Sequence, residues 1–303
     1  EEILRLKKEK NALIMAHYYQ RDEIQEIADF IGDSLALARQ AAKTDADIIV
    51  MCGVHFMGET AKILCPGKKV LVPDMAAGCS LADSCDADDF RRFVEAHPGY
   101  TVISYVNTSA AVKALTDIVV TSGNARKIVE SLPADEKIIF GPDKNLGGYI
   151  NSVASRDMLL WQGACHVHDR FSIDKIMDLK KEHPEAKILV HPECRRPLQL
   201  IADKVGSTAA LLEFAEKDEA PEYIVVTESG ILFEMRRKCS SKRFIPAPAE
   251  DSECQCNECD YMKLNTLEKV YAALRDEAPE IHVDPEVAAK AIRPIERMLE
   301  LSV

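Results

Sequence analysis

The stretch Leu13-Ile14-Met15-Ala16-His17-Tyr18-Tyr19 joins a short apolar run to a polar cluster, and this combination occurs three times along the chain. Thr101-Val102-Ile103-Ser104 leads into Tyr105-Val106-Asn107, and Lys187-Ile188-Leu189-Val190 leads into His191-Pro192-Glu193. The clusters begin at residues 17, 105 and 191, so they are 88 and then 86 residues apart. A repeated spacing of this kind indicates that one structural unit has been triplicated.

Other features repeat in the same order within each unit. A hydroxyl residue in a turn follows the start of each cluster by 17 residues, at Ser34, Ser122 and Thr208. A helical stretch, a second strand, a further helix and a third short strand are predicted next. Each unit then ends in cysteine, at Cys79, Cys165 and the group Cys254, Cys256 and Cys259. Strands that alternate with helices are typical of parallel sheets covered on both faces.

The sequence therefore predicts an α/β fold of three homologous three-layer α/β/α domains with parallel sheets. We expect a pseudo-threefold arrangement with the active site on the central axis. The predicted domains are residues 1–84, 85–170 and 171–263. Helices predicted over residues 266–276 and from Asp284-Pro285 belong to a C-terminal region, residues 264–303, that we expect to pack back on the first domain.

Composition narrows the possible functions. Of the 303 residues, 47% are hydrophobic and 29% are charged, which is typical of a globular protein. The net charge of −12 disfavours nucleic acid or an anionic membrane as a partner. The charged opening segment is unlike a signal peptide, and we expect a cytoplasmic protein. In that reducing compartment, ten cysteines suggest metal binding or catalysis more than disulfides.

Three of these cysteines are candidates for a metal centre. Functional groups gather at the carboxyl ends of strands in open α/β sheets, so threefold packing would bring Cys79, Cys165 and one cysteine of the last group together. Thiolates suit an iron–sulfur cluster, and three of them would leave one iron of a cubane open as a Lewis acid. Buried packing is the alternative for any single cysteine. We favour packing for five others: Cys52, Cys65, Cys85, Cys194 and Cys239.

Several motifs together resemble the bacterial and archaeal quinolinate synthases over essentially the whole chain. The motifs are Ala16-His17-Tyr18-Tyr19-Gln20, Gly32-Asp33-Ser34, Pro73-Asp74-Met75-Ala76-Ala77-Gly78-Cys79-Ser80, Tyr105-Val106-Asn107, Thr121-Ser122-Gly123-Asn124, Trp161-Gln162-Gly163-Ala164-Cys165, His191-Pro192-Glu193-Cys194, Gly206-Ser207-Thr208, and Cys259 before Tyr261-Met262-Lys263.

The resemblance implies an enzyme of NAD biosynthesis that condenses iminoaspartate (iminosuccinate) with dihydroxyacetone phosphate to quinolinate, releasing phosphate and water. It implies a [4Fe-4S] cluster with one open iron, on Cys79, Cys165 and Cys259. An enzyme that oxidises aspartate is the expected supplier of iminoaspartate. The implied substrate-binding residues are His17, Ser34, Tyr105, Val106, Asn107, Ser122, His191, Pro192, Glu193 and Thr208. Some relatives carry Cys-x-x-Cys-x-x-Cys where this chain has Cys254-x-Cys256-x-x-Cys259, which leaves the redox role of Cys254 and Cys256 open.

The residues themselves suggest catalytic roles. Glu193 is the natural acid or base beside an open iron, and His191, Tyr19 and His17 are further catalytic candidates. The hydroxyls at Ser34, Ser122 and Thr208 start helices, where free N–H groups bind anions, although helix capping alone would explain them. Ring packing is the alternative for Tyr19 and Tyr105. The remaining histidines, including His166 and His168, are interpreted as structural.

Two other functions remain possible at this point. An iron–sulfur hydro-lyase acting on a small hydroxy acid would use the same fold and open iron without releasing phosphate. A redox or metal sensor could bind a protein or DNA partner through the segment from Cys254 to Cys259, but the acidic charge counts against DNA.

Overall fold

A computed structural model describes residues 1–250 and 257–302 and contains three four-stranded sheets. All strand pairings in these sheets are parallel. The predicted α/β class with three parallel-sheet units is confirmed. The boundaries 1–84, 85–170 and 171–263 stay a prediction. Cys254 and Cys256 lie outside the described residues.

The first unit begins with a helix and contains the first sheet. Its strands are β1 (Ala12–His17), β2 (Phe30–Gly32), β3 (Ile48–Cys52) and β4 (Lys69–Leu71). Its helices are α1 (Glu2–Glu9), α2 (Asp22–Ile27), α3 (Ser34–Lys43), α4 (His55–Leu64) and α5 (Ser80–Asp83). Every residue of β3 is buried, as expected for a central parallel strand covered on both faces.

The second unit repeats this plan. Its strands are β5 (Thr101–Tyr105), β6 (Ile118–Val120), β7 (Ile138–Gly141) and β8 (Leu159–Leu160). Its helices are α6 (Ala87–Glu95), α7 (Ala110–Lys113), α8 (Ala125–Ser131), α9 (Lys144–Val153) and α10 (His166–Asp169).

The third unit repeats it again and leads into the C-terminal helices. Its strands are β9 (Lys187–Val190), β10 (Lys204–Val205), β11 (Glu222–Val226) and β12 (Arg243–Pro246). Its helices are α11 (Ile173–Glu182), α12 (Arg196–Leu200), α13 (Thr208–Lys217) and α14 (Ile231–Lys238). A 3₁₀ turn (Met262–Leu264), α15 (Leu267–Asp276) and α16 (Pro285–Leu301) follow.

The strand order is the same in all three sheets: β2-β1-β3-β4, β6-β5-β7-β8 and β10-β9-β11-β12. In each sheet the chain runs from the first strand to the second, at one edge, and then crosses to the third and fourth strands on the other side of the first. The switch point therefore lies between the first and third strands of each unit, where α/β sheets bind ligands at the carboxyl ends of the strands.

Each sheet has four strands, whereas the sequence predicted three. The strands that were missed are β2, β6 and β10, which contain only two or three residues and lie at the edge of each sheet. Such short edge segments carry no measurable hydrophobic periodicity, so no strand was predicted there.

An aspartate joins the first strand of each unit to the start of this edge strand. The Oδ2 atoms of Asp29, Asp117 and Asp203 accept hydrogen bonds from backbone nitrogens fifteen residues earlier, in Ile14, Val102 and Ile188, at 2.9, 2.8 and 2.8 Å. The backbone N–H of each aspartate donates to the carbonyl of the same strand residue at 2.9 Å. The edge strand is thus fixed at the same register three times.

Both predicted C-terminal helix starts are confirmed. Thr266 caps α15 by accepting from Lys269 N, and Asp284 caps α16 with Pro285 at its first position. Helix α15 packs against α1 and β3 of the first unit. Helix α16 lies against β6 and α7 of the second unit as well as α4 of the first. Among the described residues, no helix is both long and apolar enough to cross a membrane.

The aspartate contact predicts a stability effect. Asp117→Ala should lower the free energy of unfolding by about 1–3 kcal/mol, because the buried N–H of Val102 loses its side-chain acceptor. Urea unfolding of this variant should be compared with Asp157→Ala, which changes an exposed aspartate of the same unit. Equal stability of the two variants would contradict the role assigned to Asp117.

Candidate active site

A cavity lies at the carboxyl ends of the first strands and is lined by all three units. The polar clusters supply much of its wall, through His17, Tyr19, Tyr105, Asn107, His191 and Glu193. Threefold packing of the units predicts this convergence, because each unit directs the same sheet edge to the centre.

Most of the predicted site residues share this cavity. The hydroxyl residues Ser34, Ser122 and Thr208 and the cysteines Cys79, Cys165 and Cys259 also line it. Val106 and Pro192 are not part of its described lining. Val106 is buried below the surface of the cavity, where it adjoins a smaller void beside Ser34.

A chain of hydrogen bonds crosses the cavity wall from Tyr19 to His168. The Tyr19 hydroxyl lies 2.8 Å from Thr208 Oγ1 and 2.7 Å from Thr227 Oγ1. Thr227 Oγ1 in turn lies 2.9 Å from His168 Nε2. Tyr19 comes from the first unit, His168 from the second and both threonines from the third. Burial raises the pKa of Tyr19 well above its ordinary value, so the phenol keeps its proton.

Glu193 continues this network in the centre of the site. Its carboxylate lies 3.0 Å from His168 Nδ1 and accepts a hydrogen bond from the Tyr105 hydroxyl. Burial raises the pKa of Glu193, but the neighbouring His168 and the hydrogen bonds that His168 and Tyr105 donate outweigh it and lower the pKa to about 2. Glu193 is therefore a buried carboxylate held in its ionised form by its partners.

The histidines at the ends of β1 and β9 share one geometry. His17 Nδ1 accepts from the backbone nitrogen of Tyr19 at 3.1 Å, and His191 Nδ1 accepts from that of Glu193 at 3.4 Å. In both rings the proton is therefore on Nε2. The Nε2 atom of His191 lies 3.3 Å from Ser122 Oγ. Burial lowers both pKa values to about 3, so both rings are neutral donors at neutral pH.

The three lining cysteines occupy equivalent turns. Cys79 and Cys165 directly precede α5 and α10, and Cys259 precedes the 3₁₀ turn. Two buried carboxylates anchor these turns. Asp143 Oδ2 accepts from Cys165 N at 3.2 Å, and Glu228 Oε1 accepts from Cys259 N at 3.1 Å.

The three lining cysteines are partly buried. Burial raises the pKa of Cys79 to about 12 and that of Cys259 to about 11. The five cysteines expected to pack in the core are all buried and unpaired, as predicted: Cys52, Cys65, Cys85, Cys194 and Cys239.

Comparisons with known proteins show the family of this chain. A family model described as "Quinolinate synthetase A protein" matches residues 1–300. The chain belongs to the quinolinate synthase family. The quinolinate synthase of Chloroherpeton thalassium is 54% identical over 302 residues, covering 100% of this chain and 94% of the relative. That of Microcystis aeruginosa is 56% identical over 300 residues, covering 99% and 94%. Membership in the quinolinate synthase family makes the chain an enzyme of NAD biosynthesis.

The structure adds residues to the site that the sequence interpretation missed. His168 was interpreted as structural, but its donor atom lies within 4.8 Å of those of Cys165 and Glu193, a group able to hold a metal ion. His166 also lines the cavity, and its Nδ1 lies 2.5 Å from Ser80 Oγ. His168 follows Cys165 by three residues, which is one helical turn, and this spacing is the signal that could have revealed it. No comparable signal marks Thr227.

The structure also separates helix capping from ligand binding at the hydroxyl residues. Asp33 caps α3 by accepting from Ala36 N at 3.0 Å, and Ser207 caps α13 by accepting from Ala210 N at 3.3 Å. Ser34 and Thr208 are therefore the first helical residues, and their interpretation as simple caps is wrong. The N-cap of α8 is Asn124, two residues after Ser122. All three residues line the cavity, where Thr208 also contacts Tyr19 and Ser122 also contacts His191.

Two serine substitutions distinguish these roles. Ser207→Ala should lower the free energy of unfolding by about 1 kcal/mol without changing the Michaelis constants of quinolinate synthesis. Ser34→Ala should leave unfolding unchanged and weaken binding of an anionic substrate by about 1.5–3 kcal/mol, the usual value of a hydrogen bond to a charged group. Denaturant titration and steady-state kinetics on both variants provide the measurement. Unchanged kinetics in Ser34→Ala would exclude it as a substrate ligand.

Proposed function

We propose that the chain condenses iminoaspartate (iminosuccinate) with dihydroxyacetone phosphate to quinolinate, releasing phosphate and water. One observation carries this proposal: a single buried cavity combines three cysteines, an ionised carboxylate network and the starts of helices from all three units. Both substrates are anionic and the reaction moves several protons, so the site needs donors for anions and groups that exchange protons.

The donors for the anions are the helix starts and the neutral histidines. Ser34 and Thr208 begin ten-residue helices whose first N–H groups and dipoles favour negative charge. His17 and His191 add neutral Nε2–H donors. A protein with a net charge of −12 can therefore bind a phosphate or carboxylate through local donors. We assign substrate binding to the predicted set, in which Val106 and Pro192 lie behind the described lining of the cavity.

We assign a [4Fe-4S] cluster to Cys79, Cys165 and Cys259. What supports this choice is that the three thiols line one cavity, and that Cys259 raises the pKa of Cys79 while Cys79 raises the pKa of Cys165. Burial raises the pKa of all three thiols, so binding to iron would be what holds them as thiolates. When bound on three cysteines, such a cluster supplies Lewis acidity at the iron without a thiolate.

Proton transfer is assigned to the network around Glu193. The ionised carboxylate can accept a proton from a substrate carbon and return it to a leaving hydroxyl. His168 and Tyr105 hold the carboxylate in place through its two oxygens. Tyr19, connected through Thr227 to His168, provides a phenol proton on the first unit's side of the cavity. His17 and His191 orient the substrate and are the alternative proton donors.

The proposed substrates place the enzyme after an oxidation. Iminoaspartate is the two-electron oxidation product of aspartate, so an aspartate-oxidising enzyme is the proposed supplier. Phosphate release distinguishes this function from that of a hydro-lyase, since only the condensation consumes a phosphorylated triose. The assay mixes iminoaspartate and dihydroxyacetone phosphate with anaerobically prepared enzyme and measures quinolinate and phosphate. Dehydration of a small hydroxy acid without phosphate release would overturn the assignment.

The ligand assignment predicts the result of cysteine substitution. Cys79→Ala, Cys165→Ala and Cys259→Ala should each lose the cluster, because two thiolates do not hold it. Cys254→Ala and Cys256→Ala serve as controls and should retain iron. Iron and sulfide content with the visible spectrum of anaerobic protein give the measurement. If Cys256→Ala loses the cluster while Cys259→Ala keeps it, the third ligand is misassigned.

The proton-transfer assignment predicts a separate effect. Glu193→Gln should keep its iron and bind substrate but turn over at least about 100-fold more slowly, since it retains shape while losing the titratable group. Glu234→Gln is the matched control, because Glu234 is also buried but pairs with Arg237 away from the cavity. Near-normal turnover of Glu193→Gln would assign the proton chemistry to His17, His191 or Tyr19.

A further inference from the structure

One buried side chain in each unit binds the backbone that carries the site residues. These side chains are Gln25, Lys113 and Gln199, and each follows the start of its polar cluster by eight residues. Gln25 and Lys113 are almost fully buried, and Gln199 is 6% exposed. We call them the clamp residues.

In the first unit, the side-chain amide nitrogen of Gln25 contacts three backbone carbonyls. Gln25 Nε2 donates to Tyr18 O at 3.1 Å and to Gln20 O at 2.9 Å. These carbonyls flank Tyr19, whose side chain lines the cavity. The same nitrogen lies 3.0 Å from Gly230 O at the start of α14, in the third unit.

The third unit repeats this arrangement. Gln199 Nε2 donates to Pro192 O at 2.9 Å and to Cys194 O at 2.7 Å, and these carbonyls flank Glu193. A longer contact of 3.4 Å reaches Asn145 O in α9, in the second unit. The carbonyls occupy the same two positions of the cluster as in the first unit.

In the second unit, a lysine does the same. Lys113 Nζ donates to Val106 O at 2.8 Å and to Thr108 O, and these carbonyls flank Asn107. Its third contact is again with a neighbouring unit, because the ammonium lies 5.4 Å from the centre of the Phe56 ring in α4 of the first unit. Each clamp therefore holds one site residue between two carbonyls and touches the start of a helix in a neighbouring unit.

We propose that Gln25, Lys113 and Gln199 are positioning residues for Tyr19, Asn107 and Glu193, and that donation to the flanking carbonyls is what positions them. Past the end of a strand, the backbone carbonyls have no ladder partner, so a buried donor determines the conformation of the loop. Each donor group fixes two carbonyls at once and ties them to a rigid helix. Such support holds a site residue within the narrow range that catalysis requires.

Unsatisfied hydrogen-bond acceptors in two of the clamp residues support the same role. The Oε1 atoms of Gln25 and Gln199 are buried and have no hydrogen-bond partner among the described residues. A buried acceptor without a partner is costly, so both amides are retained for their donor groups. An ammonium offers three hydrogens and no unmet acceptor, at the cost of burying a charge, which explains how lysine serves the same place in the second unit.

The proposal rests on the proposed role of the cavity, and a lysine outside the cavity provides a control. Lys242 Nζ donates to Ala215 O and Asp218 O and lies 5.7 Å from the centre of the Tyr223 ring. These contacts are of the same kind as those of Lys113, but neither carbonyl flanks a site residue. Lys113 is fully buried and Lys242 is half-buried. Lys113→Met and Lys242→Met therefore remove contacts of the same kind inside and outside the site.

The experiment measures thermal stability, iron content, kcat and KM, and the dissociation constant for quinolinate in both variants and in Lys113→Gln. We expect Lys113→Met to lose at least tenfold in kcat/KM and in affinity for quinolinate while keeping its iron. Lys242→Met should change neither kcat/KM nor the affinity for quinolinate by more than twofold, even if its melting temperature falls as far as that of Lys113→Met. Lys113→Gln restores a hydrogen-bond donor without a charge. Its kcat/KM and its affinity for quinolinate should be at least threefold higher than those of Lys113→Met.

Several results would overturn the proposal. Kinetics and quinolinate affinity of Lys113→Met that match those of Lys242→Met would reduce the clamp to a general stabilising contact. A Lys113→Gln variant no better than Lys113→Met would show that donation to the carbonyls is not the cause. If Lys113→Met does not fold, Gln199→Met undergoes the same comparison with the same expected outcome. Affinity for quinolinate does not depend on the proposed substrates, so an error in those substrates is recognised separately.

Discussion

The constraint on which this structure depends is that polar backbone leaving a buried parallel strand must find new partners. In each unit the first strand lies in the interior of its sheet, and the chain emerges at the cavity. Asp29, Asp117 and Asp203 satisfy the strand from one side, and the clamp residues satisfy the loop beyond it. The side chains between these fixed points have little freedom, so the cavity is organised before a ligand arrives.

The three repeated units differ from one another at the residues that line the cavity. All three units keep the strand order, the hydroxyl position and a cysteine turn. Only the third unit supplies a carboxylate, Glu193, at the strand end, whereas the second supplies Asn107 at the equivalent position. The anchors of the cysteine turns differ too, since Asp143 and Glu228 accept the cysteine N–H in two units. One scaffold thus presents three chemically different walls to one cavity.

The sequence was sufficient to predict the parts of the fold that depend on local pattern. The spacing of the clusters indicated three units, and the apolar runs at β1, β5 and β9 located their first strands. The sequence was insufficient to predict features that depend on contacts between residues far apart in the chain. Strand β10 has two residues and no periodicity, and Thr227 joins the site only because Tyr19 and His168 lie on either side of it. The capping roles of Asp33 and Ser207 were one residue away from the residues proposed as caps.

The contacts that the clamp residues make between units run in one direction around the cavity. The first unit touches the third through Gln25, the third touches the second through Gln199, and the second touches the first through Lys113. This is a closed ring, and its closing contact joins the two units farthest apart in the chain. Such a ring needs no covalent link between its members, so three separate copies of one short ancestral chain could have enclosed the same cavity. Fusion of the copies would then have freed each wall to evolve separately, which identical subunits cannot do.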